Sequence, residues 1–345
     1  MAFSYINQMF LYKELSELLQ KISTLKVGLI GDACVDIYWN ADMRLSELSR
    51  ETPHHPLPIV SERFSLGAAG NVAANLQSLG IEELKFVSCY GNDWRKNILF
   101  EQLKSNNISN DYMVESQNFV TPAYCKPMRH GISDVVYEDP RLDFENRQPL
   151  STEEESKLIE QIDNMAKDVD IIAVSDQFQF GCVTQRVREK IISLNNKIIV
   201  DSRNQASEYK NVIIKPNEVE TLHLTGIDIF NGDFEKNILS AAKILFDRTQ
   251  KPIIITLGEK GSFYFDGNNS CLVPSLKVES EIDFVGAGDA FLAGLTCALG
   301  AGATASQALL LGNMCSFITI QKIGMTGTAS QNELLNMKGK LNANN

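Results

Sequence analysis

Short apolar runs that end in a polar residue recur along the chain and alternate with amphipathic helical segments. The runs are rich in Ile and Val and too short for helices, which favours buried β-strands. They cover residues 27–30, 86–91, 171–176, 198–201, 212–214 and 253–256. Strands separated by helices of about 10 to 15 residues are typical of βαβ units. The pattern therefore predicts a three-layer α/β/α fold with a mostly parallel central sheet.

Two segments interrupt this alternation. The segment 36–62 contains three prolines and no helical period, and the segment 120–147 has short extended pieces around a His-Gly turn. We expect both to form a small β lid inserted into one domain over 25–335, preceded by a helix within 1–24 and followed by a polar tail at 336–345. Ordinary surface hairpins are the alternative that the pattern leaves open.

Composition excludes several classes of partner. The chain has 345 residues with 32 Lys and Arg against 43 Asp and Glu, a formal net charge of −11. Nucleic acids and anionic membranes need clustered cations, so we expect neither as a partner. The seven cysteines form no C-x-x-C pair, and no apolar stretch approaches about 18 residues. These features predict a reduced, cytoplasmic protein.

The segment 283–291 carries the strongest local signal for chemistry. Gly286 and Gly288 allow close backbone approach, and together with Ala287 they precede or open an apolar helix whose first N–H groups can bind an anion. Asp289 lies in the same turn and can accept a proton while those amides hold a developing phosphate charge. A tight turn with an acidic helix start is the alternative for this segment alone.

Three further segments support a phosphate and polyol site. Asn217 and Glu220 lie three residues apart at a strand-to-helix junction and could hold the water shell of Mg²⁺, with a helix cap as the alternative. The segment 256–261 is a glycine-rich strand end suited to a nucleotide or to a hairpin turn. In the segment 65–76, Gly67 and Asn71 could contact sugar hydroxyls or serve helix packing.

With these motifs in order, the sequence resembles the ribokinase-like, or phosphofructokinase-B, family of carbohydrate kinases over about residues 27–328. The resemblance implies a ribokinase-like fold, ATP and Mg²⁺ as cofactors, and a monovalent cation as a further candidate. It implies that Asp289 is the base and that the amides of 286–288 are the anion hole. The resemblance assigns the cofactor side of the site to Asn217, Thr256, Gly258, Gly261 and Asn313, and the metal to Glu220, Asn217 through water, and Asp283.

Within the family, three stretches resemble kinases of heptose 7-phosphate, which phosphorylate its anomeric hydroxyl. These stretches are residues 31–39, 66–80 and 141–145. The resemblance places the sugar against Asp36, Gly67, Asn71, Lys126 and Arg141, and the last two are cations of the lid. Arg50, Arg129 and Arg203 are further candidates for a substrate phosphate, with solvated surface charge as the alternative for every cation.

Departures from that pattern leave other substrates open. An extra His54-His55-Pro56 follows the first lid segment, and the second lid hairpin is longer. The alternatives are a kinase for another sugar or a nucleoside, and a non-catalytic sugar or nucleotide sensor on the same fold. Apolar lid residues at 135–137, together with the resemblance, predict a homodimer built lid to lid.

Overall fold

The computed structural model describes residues 3–5 and 10–341, which form ten helices and fifteen strands. The helices are α1 (Tyr12–Ile22), α2 (Ala69–Ser78), α3 (Trp94–Ser105), α4 (Thr152–Ala166), α5 (Gln185–Ser193), α6 (Glu218–Thr225), α7 (Phe234–Thr249), α8 (Ala287–Gly300), α9 (Ala305–Thr319) and α10 (Gln331–Leu341). The strands are β1 (Ser4–Tyr5), β2 (Lys26–Gly31), β3 (Ala33–Asp42), β4 (Ile59–Ala68), β5 (Glu83–Gly91), β6 (Met113–Ser116), β7 (Ala123–His130), β8 (Tyr137–Glu138), β9 (Leu142–Phe144), β10 (Ile171–Asp176), β11 (Lys197–Ser202), β12 (Ile213–Ile214), β13 (Ile253–Thr256), β14 (Ser262–Phe265) and β15 (Ser270–Val273). No helix over this part of the chain has the length and apolar character needed to cross a membrane.

Ten strands form the main sheet, in the order β1-β15-β14-β13-β12-β11-β10-β2-β5-β6. The seven strands β13, β12, β11, β10, β2, β5 and β6 run parallel to one another. Strand β14 lies antiparallel to both of its neighbours, β13 and β15. From β2 the chain continues outward to β5, whereas β10 on the other side of β2 starts a path in the opposite direction. The strand order therefore reverses between β2 and β10, and ligands of open α/β sheets bind beyond the carboxyl ends of strands at such a point.

The core fills both faces of the main sheet because successive side chains of a strand point to opposite sides. Ile171 and Ala173 of β10 pack in one cluster with α2, α8 and α9, while Ile172 and Val174 pack in the other with α4, α5 and α7. The fully buried, β-branched composition of the strands follows from this double coverage. The predicted three-layer α/β/α class is confirmed.

A second, smaller sheet, the lid sheet, is built from β3, β4, β7, β8 and β9. Strand β3 pairs antiparallel with β4 and parallel with β7, and β8 and β9 both pair with β7. Strand β3 begins two residues after β2 ends, so the lid sheet grows directly from the carboxyl edge of the main sheet. The two segments that interrupt the sequence alternation thus meet in one sheet.

Some elements lie outside the sequence prediction. Helix α3 buries Arg95, Leu99 and Leu103, but Trp94 and Phe100 fall off that face, so the apolar residues form no single stripe. Strand β1 adds a short edge to the main sheet ahead of α1. Helix α10 continues to Leu341, beyond residue 335, where we expected the domain to end. Residues 342–345 of the predicted tail lie outside the described residues.

The junction of β4 and α2 is strained. Ala68 has φ 47° and ψ −129°, a conformation that residues with a Cβ rarely adopt. Such residues cost about 1–3 kcal/mol and persist where the surrounding structure fixes them. Here the pairing of Ala33 with Ala68 and the bond from Ala69 N–H to the Asp32 carbonyl at 3.0 Å fix the backbone on both sides.

We therefore expect Ala68→Gly to raise the free energy of unfolding by about 1 kcal/mol, because glycine adopts this conformation without strain. Urea denaturation of the purified protein measures the change. The control is Ala74→Gly inside α2, which should lower the same quantity by about 1 kcal/mol through helix propensity and lost packing. Destabilisation by both substitutions would show that Ala68 stores no strain.

Candidate active site

A cleft of ≈ 220 Å³ lies between the carboxyl edge of the main sheet and the lid sheet. Strands of the lid sheet, the loops after β10 and β11, the start of α8 and the loop after α9 all contribute to its wall. The lining residues are Asp36, Gly67, Ala68, Tyr124, Lys126, Arg141, Gln177, Arg203, Val285, Gly286, Asp289 and Thr326. Residues from both sheets thus converge on one small polar cavity.

Asp289 lies at the third position of α8 and faces this cleft. Its Oδ2 accepts a hydrogen bond from Asn71 Nδ2 at 2.8 Å, while no described residue donates to its Oδ1. Burial raises the pKa of Asp289 to about 7; the charges of Asp201 and Asp36 add to the rise, and the Asn71 hydrogen bond and Lys215 oppose it. A carboxyl group with this pKa can exchange protons near neutral pH.

Gly286 forms the turn that leads into α8. It has φ 79°, which favours glycine, and a Cβ here would lie 2.6 Å from Asn71 Nδ2. Of the three amides predicted as an anion hole, Ala287 N–H is already bonded to the Phe284 carbonyl at 3.2 Å. The N–H groups of Gly286 and Gly288 make no hydrogen bond within residues 3–5 and 10–341. The structure therefore leaves two of the three predicted donors for a ligand.

Asp36 forms the opposite wall with Lys126. Asp36 Oδ2 accepts from Lys126 Nζ at 3.1 Å, and Lys126 also donates to the Tyr38 hydroxyl at 3.0 Å. Burial raises the pKa of Asp36, and the nearby Lys126 opposes the rise. A Cβ on Gly67 would lie 2.9 Å from Asp36 Oδ1, so only glycine leaves that carboxylate its present position.

A buried ion pair beneath the cleft was missed from the sequence. Lys215 is 3% exposed and its Nζ lies 3.0 Å from Asp201 Oδ2. Burial lowers the pKa of Lys215, but the charges of Asp201, Glu220 and Asp289 outweigh that effect and leave it raised. Asp201 ends the apolar run 198–201 and was therefore visible as a polar strand end. The contact with Lys215 was not visible, because it depends on the parallel pairing of β11 with β12.

Two cations of the cleft are exposed. The Arg141 guanidinium pairs with Asp143 at 2.6 Å and stacks over the Tyr124 ring at 4.0 Å from its centroid. Arg203 follows β11 and makes no ion pair with any residue in the described ranges. Lys126 is the third cation of the cleft and is buried, so the cleft lining combines the carboxylates Asp36 and Asp289 with three cations. Two other candidates, Arg50 and Arg129, do not line the cleft.

Four predicted ligand residues use their polar atoms inside the protein. The Asn71 side chain is buried, donates to Asp289 and does not line the cleft, and its contact with the sugar stays a prediction. Asn313 donates to the Val273 and Pro274 carbonyls and accepts from the Ser262 hydroxyl, so its amide joins α9 to β14 and β15.

Asp283 accepts from the N–H groups of Val285 and Gly324 and so connects two loops.

The fourth is Asn217, which forms a capping box with Glu220 at the start of α6. Asn217 Oδ1 accepts from Glu220 N–H at 2.8 Å, and Glu220 Oε2 accepts from Asn217 N–H at 2.9 Å. The helix cap that the sequence left open as an alternative is therefore present. Thr256 pairs with Asn217 across the strand ends, and Gly258 and Gly261 close a turn directly after Thr256. These residues lie together but do not line the cleft.

Comparison with known proteins decides the family. A family model described as pfkB family carbohydrate kinase matches residues 27–332. The chain belongs to this family. Membership makes the protein a carbohydrate kinase, a phosphotransferase with an alcohol group as acceptor.

Relatives of the kinase agree with this assignment. The bifunctional protein HldE of Trichlorobacter lovleyi is 28% identical over 336 residues, which cover 94% of this chain and 65% of that protein. The bifunctional protein HldE of Bradyrhizobium diazoefficiens is 30% identical over 328 residues, covering 92% and 63%. The kinase thus spans less than two thirds of the length of these relatives.

Solved structures show the same fold. Phosphofructokinase-2 from Escherichia coli in complex with substrates and products has a TM-score of 0.71 at 19% identity and covers 92% of this chain and 100% of that chain. Ribokinase from Arabidopsis thaliana complexed with ribose and ATP has a TM-score of 0.68 at 17% identity, covering 91% and 98%. The predicted ribokinase-like fold is confirmed.

If Asp289 is the base, turnover requires its ionised form. We expect kcat/KM to fall as pH drops through about 7, because the carboxylate then gains a proton and can no longer accept one. Asp289→Asn should lower kcat by about 10² to 10⁴ at pH 8. A coupled assay of ADP release measures both. Ordinary turnover by Asp289→Asn would contradict the assignment.

Proposed function

We propose that the protein is an ATP- and Mg²⁺-dependent kinase of a sugar phosphate, and that heptose 7-phosphate, accepting at its anomeric hydroxyl, is the substrate. The observation that carries the proposal is the composition of the cleft. Asp36 and Asp289 offer acceptors for sugar hydroxyls, while Arg141, Arg203 and Lys126 offer positive charge in the same wall. A neutral sugar needs the acceptors alone, whereas a substrate with its own phosphate also needs the cations.

Arg203 is the strongest candidate for the substrate phosphate. It is exposed at the cleft and has no carboxylate partner in the described part of the chain, whereas Arg141 and Lys126 are held by Asp143 and Asp36. A guanidinium without an internal partner can form two parallel hydrogen bonds to a phosphate. The sequence resemblance to heptose-7-phosphate kinases and the relatives named HldE favour this substrate class.

The chain's own groups account for the transfer. Asp289 Oδ1 accepts the proton of the sugar hydroxyl as its oxygen attacks the γ-phosphorus in line, and the bond to the ADP oxygen breaks. The N–H groups of Gly286 and Gly288 stabilise the charge on the transferred phosphoryl. Asp36, on the opposite wall, orients the sugar through its other hydroxyls.

The described residues include no group of three or more His, Cys, Asp or Glu side chains that could hold a metal ion. Mg²⁺ needs few protein ligands when nucleotide phosphates and waters complete its shell. Burial and the charge of Asp201 raise the pKa of Glu220, so a cation nearby would be favourable there. We propose that Glu220 and Asn217 contact Mg²⁺ through water, with Asp283 as a further candidate; bound Mg²⁺ would neutralise phosphate charge. A monovalent cation remains a further proposed cofactor.

We propose that Thr256, Gly258, Gly261 and Asn313 belong to the nucleotide side of the site. Thr256 lies beside Asn217 at the strand ends, and Asn313 fixes the neighbouring strands β14 and β15. The hydrogen bonds of Asn313 indicate that it shapes this region through the backbone rather than by direct contact. This arrangement would bring ATP to the cleft from the side of α6 and α8.

A panel of acceptors tests the substrate class. The enzyme is assayed for ATP consumption with heptose 7-phosphate, fructose 6-phosphate, ribose, fructose and adenosine, and products are identified by phosphorus NMR. We expect turnover with sugar phosphates and a new anomeric phosphate on the heptose. Efficient turnover with ribose or adenosine and none with sugar phosphates would contradict the proposal.

Arg203→Gln tests the phosphate contact. We expect KM for the sugar phosphate to rise about tenfold or more with KM for ATP unchanged, because a charge-assisted hydrogen bond is lost. The control is Arg147→Gln, an exposed arginine near the lid that does not line the cleft. Equal KM values for the two variants would show that Arg203 does not bind the substrate phosphate.

We also propose a cytoplasmic location, which is consistent with seven free cysteines. We further propose that the protein forms a homodimer through the lid sheet. The lid exposes Leu45, Ile59, Val135, Val136 and Leu142, all more than 40% accessible. Exposed apolar side chains of this number favour coverage of the lid by a second copy. Sedimentation should show a dimer that Val136→Lys dissociates, because the lysine charge would be buried at the interface; a monomeric wild-type protein would refute the dimer.

A further inference from the structure

A chain of hydrogen-bonded amides leads to Asp289 from the loop after α9. Asn71 and Asn75 lie one turn apart on α2, and each is 1% exposed. The Ala329 N–H donates to Asn75 Oδ1 at 3.3 Å, Asn75 Nδ2 donates to Asn71 Oδ1 at 3.3 Å and to the Asn71 carbonyl at 3.0 Å, and Asn71 Nδ2 donates to Asp289 Oδ2 at 2.8 Å. We call this series the amide relay.

Both ends of the amide relay fix its direction. The Ala329 N–H can only donate, so it requires the oxygen of the Asn75 amide. Ionised Asp289 can only accept, so it requires the NH₂ group of Asn71. Between these ends, the Asn75 NH₂ group faces the Asn71 oxygen. Every dipole therefore points the same way, and each hydrogen bond polarises the next.

We propose that Asn75, acting through Asn71, is a positioning residue that holds the Asp289 carboxylate in its reactive orientation and ionised form. The inference rests on the proposed role of Asp289 as the base. Asn75 itself does not line the cleft, so it would not contact a substrate bound there. Its effect on turnover must pass through the orientation of the Asn71 amide.

The surroundings of Asp289 make this hydrogen bond consequential. The charges of Asp201 and Asp36 disfavour the ionised form of Asp289. The charge of Lys215 and the hydrogen bond from Asn71 favour the ionised form. Without Asn75, the Asn71 amide loses the donor that keeps its oxygen turned away from Asp289. A rotated Asn71 would present Oδ1 to the carboxylate, which removes a hydrogen bond and adds repulsion between two acceptors.

Two substitutions at position 75 provide the test. Asn75→Leu removes the amide at similar volume, and Asn75→Asp keeps the shape but replaces the donor with an acceptor. For each folded variant we expect kcat to fall about tenfold to a hundredfold with KM for both substrates nearly unchanged. The acid limb of the kcat/KM profile should move to higher pH, because a less stabilised carboxylate binds its proton more tightly.

The matched control is Gln77→Leu on the same helix. Gln77 donates to the Asn107 carbonyl at 3.0 Å on the protein surface, so its loss changes α2 without touching the amide relay. We expect wild-type kinetics and a wild-type pH profile from this variant. Thermal melts establish which variants are folded, and either substitution at position 75 is sufficient for the test.

The outcomes separate the amide relay from the proposed function. A folded Asn75 variant with wild-type kcat and an unshifted acid limb would overturn the amide relay. If Asp289→Asn also keeps ordinary turnover, the base assignment has failed as well. If Asp289→Asn is inactive while both Asn75 variants behave as wild type, only the positioning role of Asn75 is wrong.

Discussion

The site depends on the burial of several carboxylates that lie close together near the carboxyl edge of the main sheet. Asp36, Asp201, Glu220 and Asp289 come from four separate segments, and burial makes their charges costly. The Asp201–Lys215 pair offsets part of this cost at 3.0 Å. Burial, with a further contribution from the charges of Asp201 and Asp36, raises the pKa of Asp289 to about 7. The same burial that makes these charges costly therefore creates a proton acceptor that works near neutral pH.

The net charge of the chain does not describe the groups that line the cleft. A chain with a net charge of −11 repels polyanions over most of its surface. The cleft nevertheless presents Lys126, Arg141 and Arg203 together with free amides at the start of α8. Anionic substrates of a kinase are small enough to be held by such a local arrangement, whereas a nucleic acid would meet the whole acidic surface. An acidic composition therefore disfavours polyanionic partners without excluding phosphate chemistry.

The sequence predicted the main sheet and the polar residues at the ends of its strands because both depend on local pattern. Apolar runs such as 171–176 coincide with a strand, and the glycines and acid at 286–289 form the predicted turn into α8. Hydrogen-bond partners could not be predicted in this way. Asn71 and Asp289 are 218 positions apart, and only the packing of α2 against α8 brings them together. For the same reason the sequence could not show that the amide of Asn313, which the resemblance assigns to the nucleotide side, joins α9 to β14 and β15.

The central claim is that Asp289 Oδ1 is kept free to take the proton of a sugar hydroxyl while Oδ2 is held by Asn71. A crystal structure of the kinase with a sugar phosphate and a non-hydrolysable ATP analogue tests it most directly. The account predicts the acceptor hydroxyl within about 2.6–3.2 Å of Oδ1, with the substrate phosphate against Arg203. A hydroxyl bound out of reach of Asp289, with another side chain in contact with it, would contradict the account.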